Sequence, residues 1–141
     1  MAPAIVLLMI ADWVSPPLPE KPLRLVVVVD DDDEMRAMVS AMAQDALPWA
    51  RVVEHHSSYR AFQEINAGGA DLLITDCHMP DLDGPALVRM IREQKFSVPI
   101  IMVSACEDAR ELGERAGVDR FVHKGRLSQE LDPAIKSLLP R

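Results

Sequence analysis

The 141-residue chain is poor in cysteine and in basic charge, and it has no long apolar run. Two cysteines, Cys77 and Cys106, cannot build the disulfide framework of a small secreted domain, and they fit a reducing compartment. Nor do Cys77, His78, Cys106 and His123 have the paired spacing of a zinc site, so a soft-metal centre is not expected. Fifteen Lys and Arg against 22 Asp and Glu leave a formal net charge of -7. A nucleic-acid-binding surface needs a basic patch, so no direct contact with nucleic acid is expected. No stretch reaches the roughly 18 to 20 apolar residues of a membrane span, and none is expected. Internal repeats are absent.

The apolar stretch from Ile5 to Ala11 has the look of a signal-peptide core. No Lys or Arg precedes it and no small-residue cleavage site follows, so an export signal is not recognised and the cytoplasm is the expected location. Pro16, Pro17, Pro19 and Pro22 then make Ser15 to Pro22 a stiff, extended linker. Residues 1–22 are accordingly expected to be an appendage, dispensable for the fold of a single domain covering 23–141. A hydrophobic content of 49% excludes disorder for most of the chain.

From Leu23 onwards, strand and helix signals alternate. Arg24 to Val29 is apolar on both faces, as a central parallel strand should be. Met35, Met38, Val39, Met42 and Ala46 recur at helical spacing, with Asp32 or Asp33 as N-cap and Pro48 beyond the end. A weaker strand over Arg51 to Glu54 leads to a helix capped by Ser57 or Ser58, carrying Tyr59, Phe62 and Ile65 and stopping at Gly68-Gly69. Leu72 to Asp76 reads as a buried strand. Pro85 opens a helix with Leu87, Met90 and Ile91 inward, and Val98 to Val103 is the next strand. Ala109, Leu112 and Ala116 predict a short helix ended by Gly117, then a strand from Arg120 to Lys124. A last helix, capped by Ser128, turns Leu131, Ile135 and Leu138 inward. Five βα units predict an α/β fold, a doubly wound five-stranded parallel sheet in the order 2-1-3-4-5.

In such sheets ligands bind at the carboxyl edge of the strands. The apolar runs deliver Asp30 and Asp31, Asp76, Ser104 and Lys124 to that edge. Converging carboxylates repel one another and raise one another's pKa, so a cation is the natural occupant. Oxygen-only ligation suits Mg²⁺. With that charge neutralised, Asp76 can attack a phosphoryl group and form an aspartyl-phosphate. Asp30 and Asp31 would hold the metal, Lys124 would pair with a phosphoryl oxygen, and Ser104 would donate a hydrogen bond to it.

These residues resemble the receiver domains of two-component response regulators. The resemblance runs from about Leu23 to Leu139. It rests jointly on Val28-Val29-Asp30-Asp31 with Arg36 five residues on, on Asp76-x-x-Met79-Pro80-x-x-Asp83-Gly84, on Ser104-Ala105, and on Ala116-Gly117 followed by Phe121 and Lys124. The run of four aspartates is ambiguous by itself, and Arg36 sets the register on Asp30 and Asp31. The resemblance implies the flavodoxin-like (βα)5 fold, Asp76 as phosphoacceptor and the backbone carbonyl of His78 as a further metal ligand. It makes Ser104 the switch hydroxyl and Phe121 the switch aromatic. It further implies a phosphoprotein served by a sensor histidine kinase or a histidine phosphotransfer protein, which acts on a downstream protein rather than as an enzyme. Gly125 stands where the family usually has proline, so a trans bond is expected after Lys124. The segment Ser104 to Gly117 is about two residues short of the common pattern. His78 and Cys106 occupy positions that flank the acyl phosphate in the family. A metal-dependent phosphatase and a pseudo-receiver that only binds are the competing readings. The intact set of five side chains opposes the second, and the lack of an inserted cap segment opposes the first.

Overall fold

The computed structural model describes residues 24–140. The extension to Pro22, and the domain start assigned to Leu23, lie outside the described residues. Strands β1 (Arg24–Val29), β2 (Ala50–His55), β3 (Leu72–Asp76), β4 (Ile100–Ser104) and β5 (Arg120–His123) alternate with helices α1 (Asp33–Ala46), α2 (Ser58–Gly68), α3 (Gly84–Glu93), α4 (Asp108–Ala116) and α5 (Leu127–Leu138). All neighbouring strands are parallel, in the order β2-β1-β3-β4-β5. The expected doubly wound sheet is therefore the observed one.

The valine run of β1 works because successive side chains in a strand point to opposite faces. Val26 and Val28 join a core layer with Val39 and Ala43 of α1 and Leu131 and Ile135 of α5. Val27 and Val29 join a second layer with Ile65 of α2, Leu87 and Ile91 of α3 and Ala109 of α4. Every residue of β3 and β4 is buried. The sheet is thus a rigid floor, with each strand worth roughly 1.5 to 3 kcal/mol per fully buried large apolar side chain.

Several local expectations change. Met38, Tyr59 and Leu112 fit the apolar periodicity of their helices but are about half exposed, because Val39 and Ala43, Ala61 and Ile65, and Ala109 and Ala116 already fill the faces against the sheet. Strand β5 stops at His123, and Lys124 opens a 3-10 turn over Lys124–Arg126. His123 makes that turn by accepting the Gly125 N–H on Nδ1 at 2.9 Å. Helix α5 follows without a break, so Ser128 lies inside it and does not cap it. No cis peptide occurs among the described residues, and the bond after Lys124 is trans, as the glycine implies.

Candidate functional site

Asp30 follows β1 and is 4% exposed. Its N–H donates to the carbonyl of His55 at 3.2 Å, and its Oδ1 accepts the N–H of Asp32 at 2.9 Å. The four consecutive aspartates then diverge. Asp30 points inward, while Asp31 is exposed but keeps a carboxylate oxygen at the same cluster. Asp32 caps α1 by accepting from the Met35 N–H, and Asp33 pairs with Arg36 at 2.7 Å. Arg36 also donates to the Asp30 carbonyl at 2.8 Å and faces Glu54 at 3.5 Å, bracing the loop that carries the acids.

At the end of β3, Asp76 is 7% exposed. Ligand oxygens of Asp30, Asp31 and Asp76 all lie within 4.8 Å of one another. The Lys124 ammonium reaches in from the 3-10 turn, 3.1 Å from Asp76 Oδ1 and 3.7 Å from Asp30 Oδ2. Ser104 ends β4 on the neighbouring strand, 1% exposed, with its Oγ accepting the Cys106 N–H at 3.1 Å. His78 is exposed, two residues past Asp76. Phe121 stands apart from the acids: it pairs in the sheet with Met102, and the Arg110 guanidinium lies 4.6 Å from its ring centroid. The structure thus joins Asp30, Asp31, Asp76 and Lys124 in one cluster, with Ser104 at the adjoining strand end.

The donor set is all hard oxygen, which suits a hard divalent cation such as Mg²⁺ and lacks the thiolate and imidazole ligands typical of zinc and copper centres. A cavity of about 480 Å³ at the opposite edge of the sheet, lined by Ile65, Phe96, Val98 and Leu139 among others, gathers no such cluster; its Asp71 is already paired with Arg24.

The sequence profile of the response regulator receiver domain matches residues 26–136. This chain belongs to that family. The transcriptional regulatory protein GltR of Pseudomonas aeruginosa is 34% identical over 122 residues, 84% of this chain and 50% of that protein. The chemotaxis protein CheY of the same organism is 29% identical over 82% of this chain and 96% of its own. The chain therefore spans about half the length of the first and nearly all of the second. Among solved structures, chemotaxis protein CheY4 of Vibrio cholerae superposes with a TM-score of 0.72 at 26% identity, covering 84% of this chain and all of that one. A response regulator from Chloroflexus aurantiacus gives 0.76 at 28% identity, covering 85% and 100%.

Electrostatics in this receiver domain follow from its crowding. Burial raises the Asp30 carboxyl above its ordinary range, and the neighbouring Asp76 charge adds to that, against the Asp32 N–H and Lys124. Burial alone would lower the Lys124 pKa, but the charges of Asp76 and Asp30 outweigh it and hold the ammonium above its ordinary value. Burial also pushes the Cys77 thiol up to about 11. At neutral pH a soluble alkylating reagent should therefore label exposed Cys106 and spare Cys77, which is 1% exposed. Peptide mapping checks this, and rapid labelling of Cys77 in the folded protein would contradict the burial.

Two features had weak sequence signals. Arg36 carried the register of the acid pair, but not its role as a brace. Ser57 and Ser58 read as helix caps, and Ser57 is the N-cap residue of α2, but neither hydroxyl bonds the helix's own N–H groups. The Ser57 hydroxyl donates to Asp81 Oδ2 at 2.9 Å and that of Ser58 to the Leu82 carbonyl at 2.6 Å. A Ser-Ser pair before a helix looks the same in both uses.

Proposed function

We propose that this receiver domain accepts a phosphoryl group on Asp76 from the phosphohistidine of a sensor histidine kinase or a histidine phosphotransfer protein, and signals through altered protein contacts. The carrying observation is the Lys124 ammonium 3.1 Å from Asp76 Oδ1, beside two further carboxylates at a rigid strand edge. An Asp76 oxygen attacks phosphorus as the P–N bond to the donor imidazole breaks, and the bonding pair leaves on that nitrogen. Because this transition state is loose, positioning and charge neutralisation supply most of the catalysis. Lys124 offsets phosphoryl charge in a partly water-excluded site. The Ser104 oxygen already accepts from the Cys106 N–H, so its own hydrogen is available to a phosphoryl oxygen. Asp30, Asp31, Asp76 and the His78 carbonyl would hold Mg²⁺, which supplies further neutralisation of the phosphoryl oxygens when bound.

Output would run through α4, β5 and α5. Engagement of Ser104 by phosphate would release Phe121 to turn inward from its contact with Arg110. Residues 1–22 would act as a separate appendage to the domain at 23–141, and the cytoplasm is the proposed location.

Incubation with acetyl phosphate and Mg²⁺ separates this reading from its rivals. A single stable phosphate on Asp76 is expected; free phosphate released with multiple turnovers would point to a phosphatase, and no reaction to a binding module. In the same assay, Lys124→Ala should slow incorporation about 100-fold while Mg²⁺ still binds, by analogy with the loss of one charge-stabilising donor. Asp31→Asn should weaken Mg²⁺ binding with Asp76 still the acceptor. Calorimetric titration with Mg²⁺ tells the two apart, and identical behaviour of both variants would count against the assigned roles.

A further inference from the structure

We propose that the turn from His55 to Ser58 is a strut that sets the spacing of the two acid-bearing loops, and that Ser58 is a positioning residue of the phosphoryl-transfer site. The inference rests on the reading of Asp76 as phosphoacceptor. One side of the turn holds the β1–α1 loop: the His55 carbonyl accepts the Asp30 N–H at 3.2 Å. The other side holds the β3–α3 loop. Ser58, fully buried, donates its single hydroxyl hydrogen to the Leu82 carbonyl at 2.6 Å, and Met79 Sδ packs 3.4 Å from the Ser58 Oγ. Ser57 donates to Asp81 at 2.9 Å.

That loop begins at Asp76 and carries the His78 carbonyl, so whatever fixes Leu82 and Met79 also restrains the path of the backbone past the acceptor. Serine at the start of a helix ordinarily satisfies that helix's own free N–H groups. Here Ser57, the N-cap residue of α2, makes no such bond, and both hydroxyls reach across to the neighbouring loop instead. Opposing the effect of its own slight burial, the Leu82 N–H and the Ser57 hydroxyl keep the Asp81 carboxyl below its ordinary pKa, so this tie persists through the neutral range. Hydrogen bonds made directly to metal ligands are worth about 10- to 100-fold in metal affinity, and a tie to the loop that carries a ligand acts at the lower end of that range.

The test uses the full chain and Mg²⁺ alone as titrant, followed by acetyl phosphate at saturating Mg²⁺. Ser58→Ala should raise the Mg²⁺ dissociation constant about 10-fold and slow phosphorylation. Ile91→Val, in the same core layer but away from the loop, should lower Tm with both readouts unchanged. Should Ser58→Ala fail to fold, Ser57→Ala and Ser57→Thr decide: weaker Mg²⁺ binding in the first, restored by the hydroxyl of the second, is the expected pattern. A Ser58→Ala protein with lowered Tm but unchanged Mg²⁺ affinity and rate, or a Ser57→Ala protein indistinguishable from wild type where Ser58→Ala does not fold, would overturn the proposal. Failure of the Asp76 assignment is visible separately, as label retained in Asp76→Asn.

Discussion

Asp76→Asn is expected to abolish phosphate incorporation from a small-molecule donor while leaving the domain folded and no less stable without metal. The amide keeps the size of the side chain but is not a nucleophile for phosphorus at neutral pH. Truncating one partner of a buried ion pair usually costs about 3 to 5 kcal/mol, because the other charge is stranded. Lys124 is not stranded here, since Asp30 Oδ2 stays 3.7 Å away. Three carboxylates around one ammonium become two, and a source of the raised Asp30 pKa disappears.

The sign of the pH dependence follows. A carboxyl raised above its unfolded value of 3.8 destabilises the fold when ionised. That penalty is present at neutral pH and is relieved as pH falls through the folded pKa towards 3.8. Substitution at Asp76 should shrink this relief in thermal unfolding of metal-free protein. Mg²⁺ should stabilise the wild type more than the variant; for a dissociation constant of ~1 mM, ~10 mM Mg²⁺ contributes about 1.4 kcal/mol by linkage. Mass mapping after borohydride trapping decides the chemical part. Label on another carboxylate, or undiminished label in the variant, would sink the assignment.

Gly84→Ala should have the second large effect, a loss of about 1 to 3 kcal/mol together with slower phosphorylation. A Cβ at this position would collide with the backbone oxygen of Asp76 and stand 3.0 Å from Cys77 Cα. Backbone of a fully buried strand cannot step aside as the end of a side chain can. The glycine N–H also donates to the Cys77 carbonyl at 2.7 Å, closing the loop around the acceptor. Relief of the clash must therefore move Asp76, which couples stability to chemistry. Gly68→Ala is the matched comparison: an added Cβ there meets nothing within 4 Å, so it should gain about 0.4 to 1 kcal/mol through the unfolded chain. Urea midpoints at constant m-value measure both. Equal midpoints for Gly84→Ala and wild type would mean that the close approach is not a constraint.

Much of this protein was legible in one dimension. The valines of β1, the buried run ending at Asp76 and the glycines after the helices specify strands, helices and the carboxyl edge, because side-chain direction alternates regularly along each element and apolar residues must be buried. Right-handed crossovers then leave few ways to arrange five βα units, and the strand order follows. What one dimension could not carry is where a polar side chain ends up once its neighbours are in place. Arg36 and the helix spacing already set Asp30 and Asp31 apart from Asp32 and Asp33, but only folding sends Asp30 inward, leaves Asp31 at the rim, makes Asp32 the cap and gives Asp33 to Arg36. Met38 and Leu112 keep the helical period yet remain exposed, since smaller neighbours already fill the faces against the sheet. Lys124 reaches Asp76 from a turn rather than from a strand because His123 bonds to Gly125. Ser57 and Ser58 bind a loop more than twenty residues away in sequence, as their separations of 24 from Asp81 and Leu82 record. Periodicity and turn chemistry are local and add along the chain, so sequence alone determined the framework. Hydrogen bonds and ion pairs between loops depend on distances that exist only after the sheet has closed its register, so the tertiary structure decided the site's inner wiring.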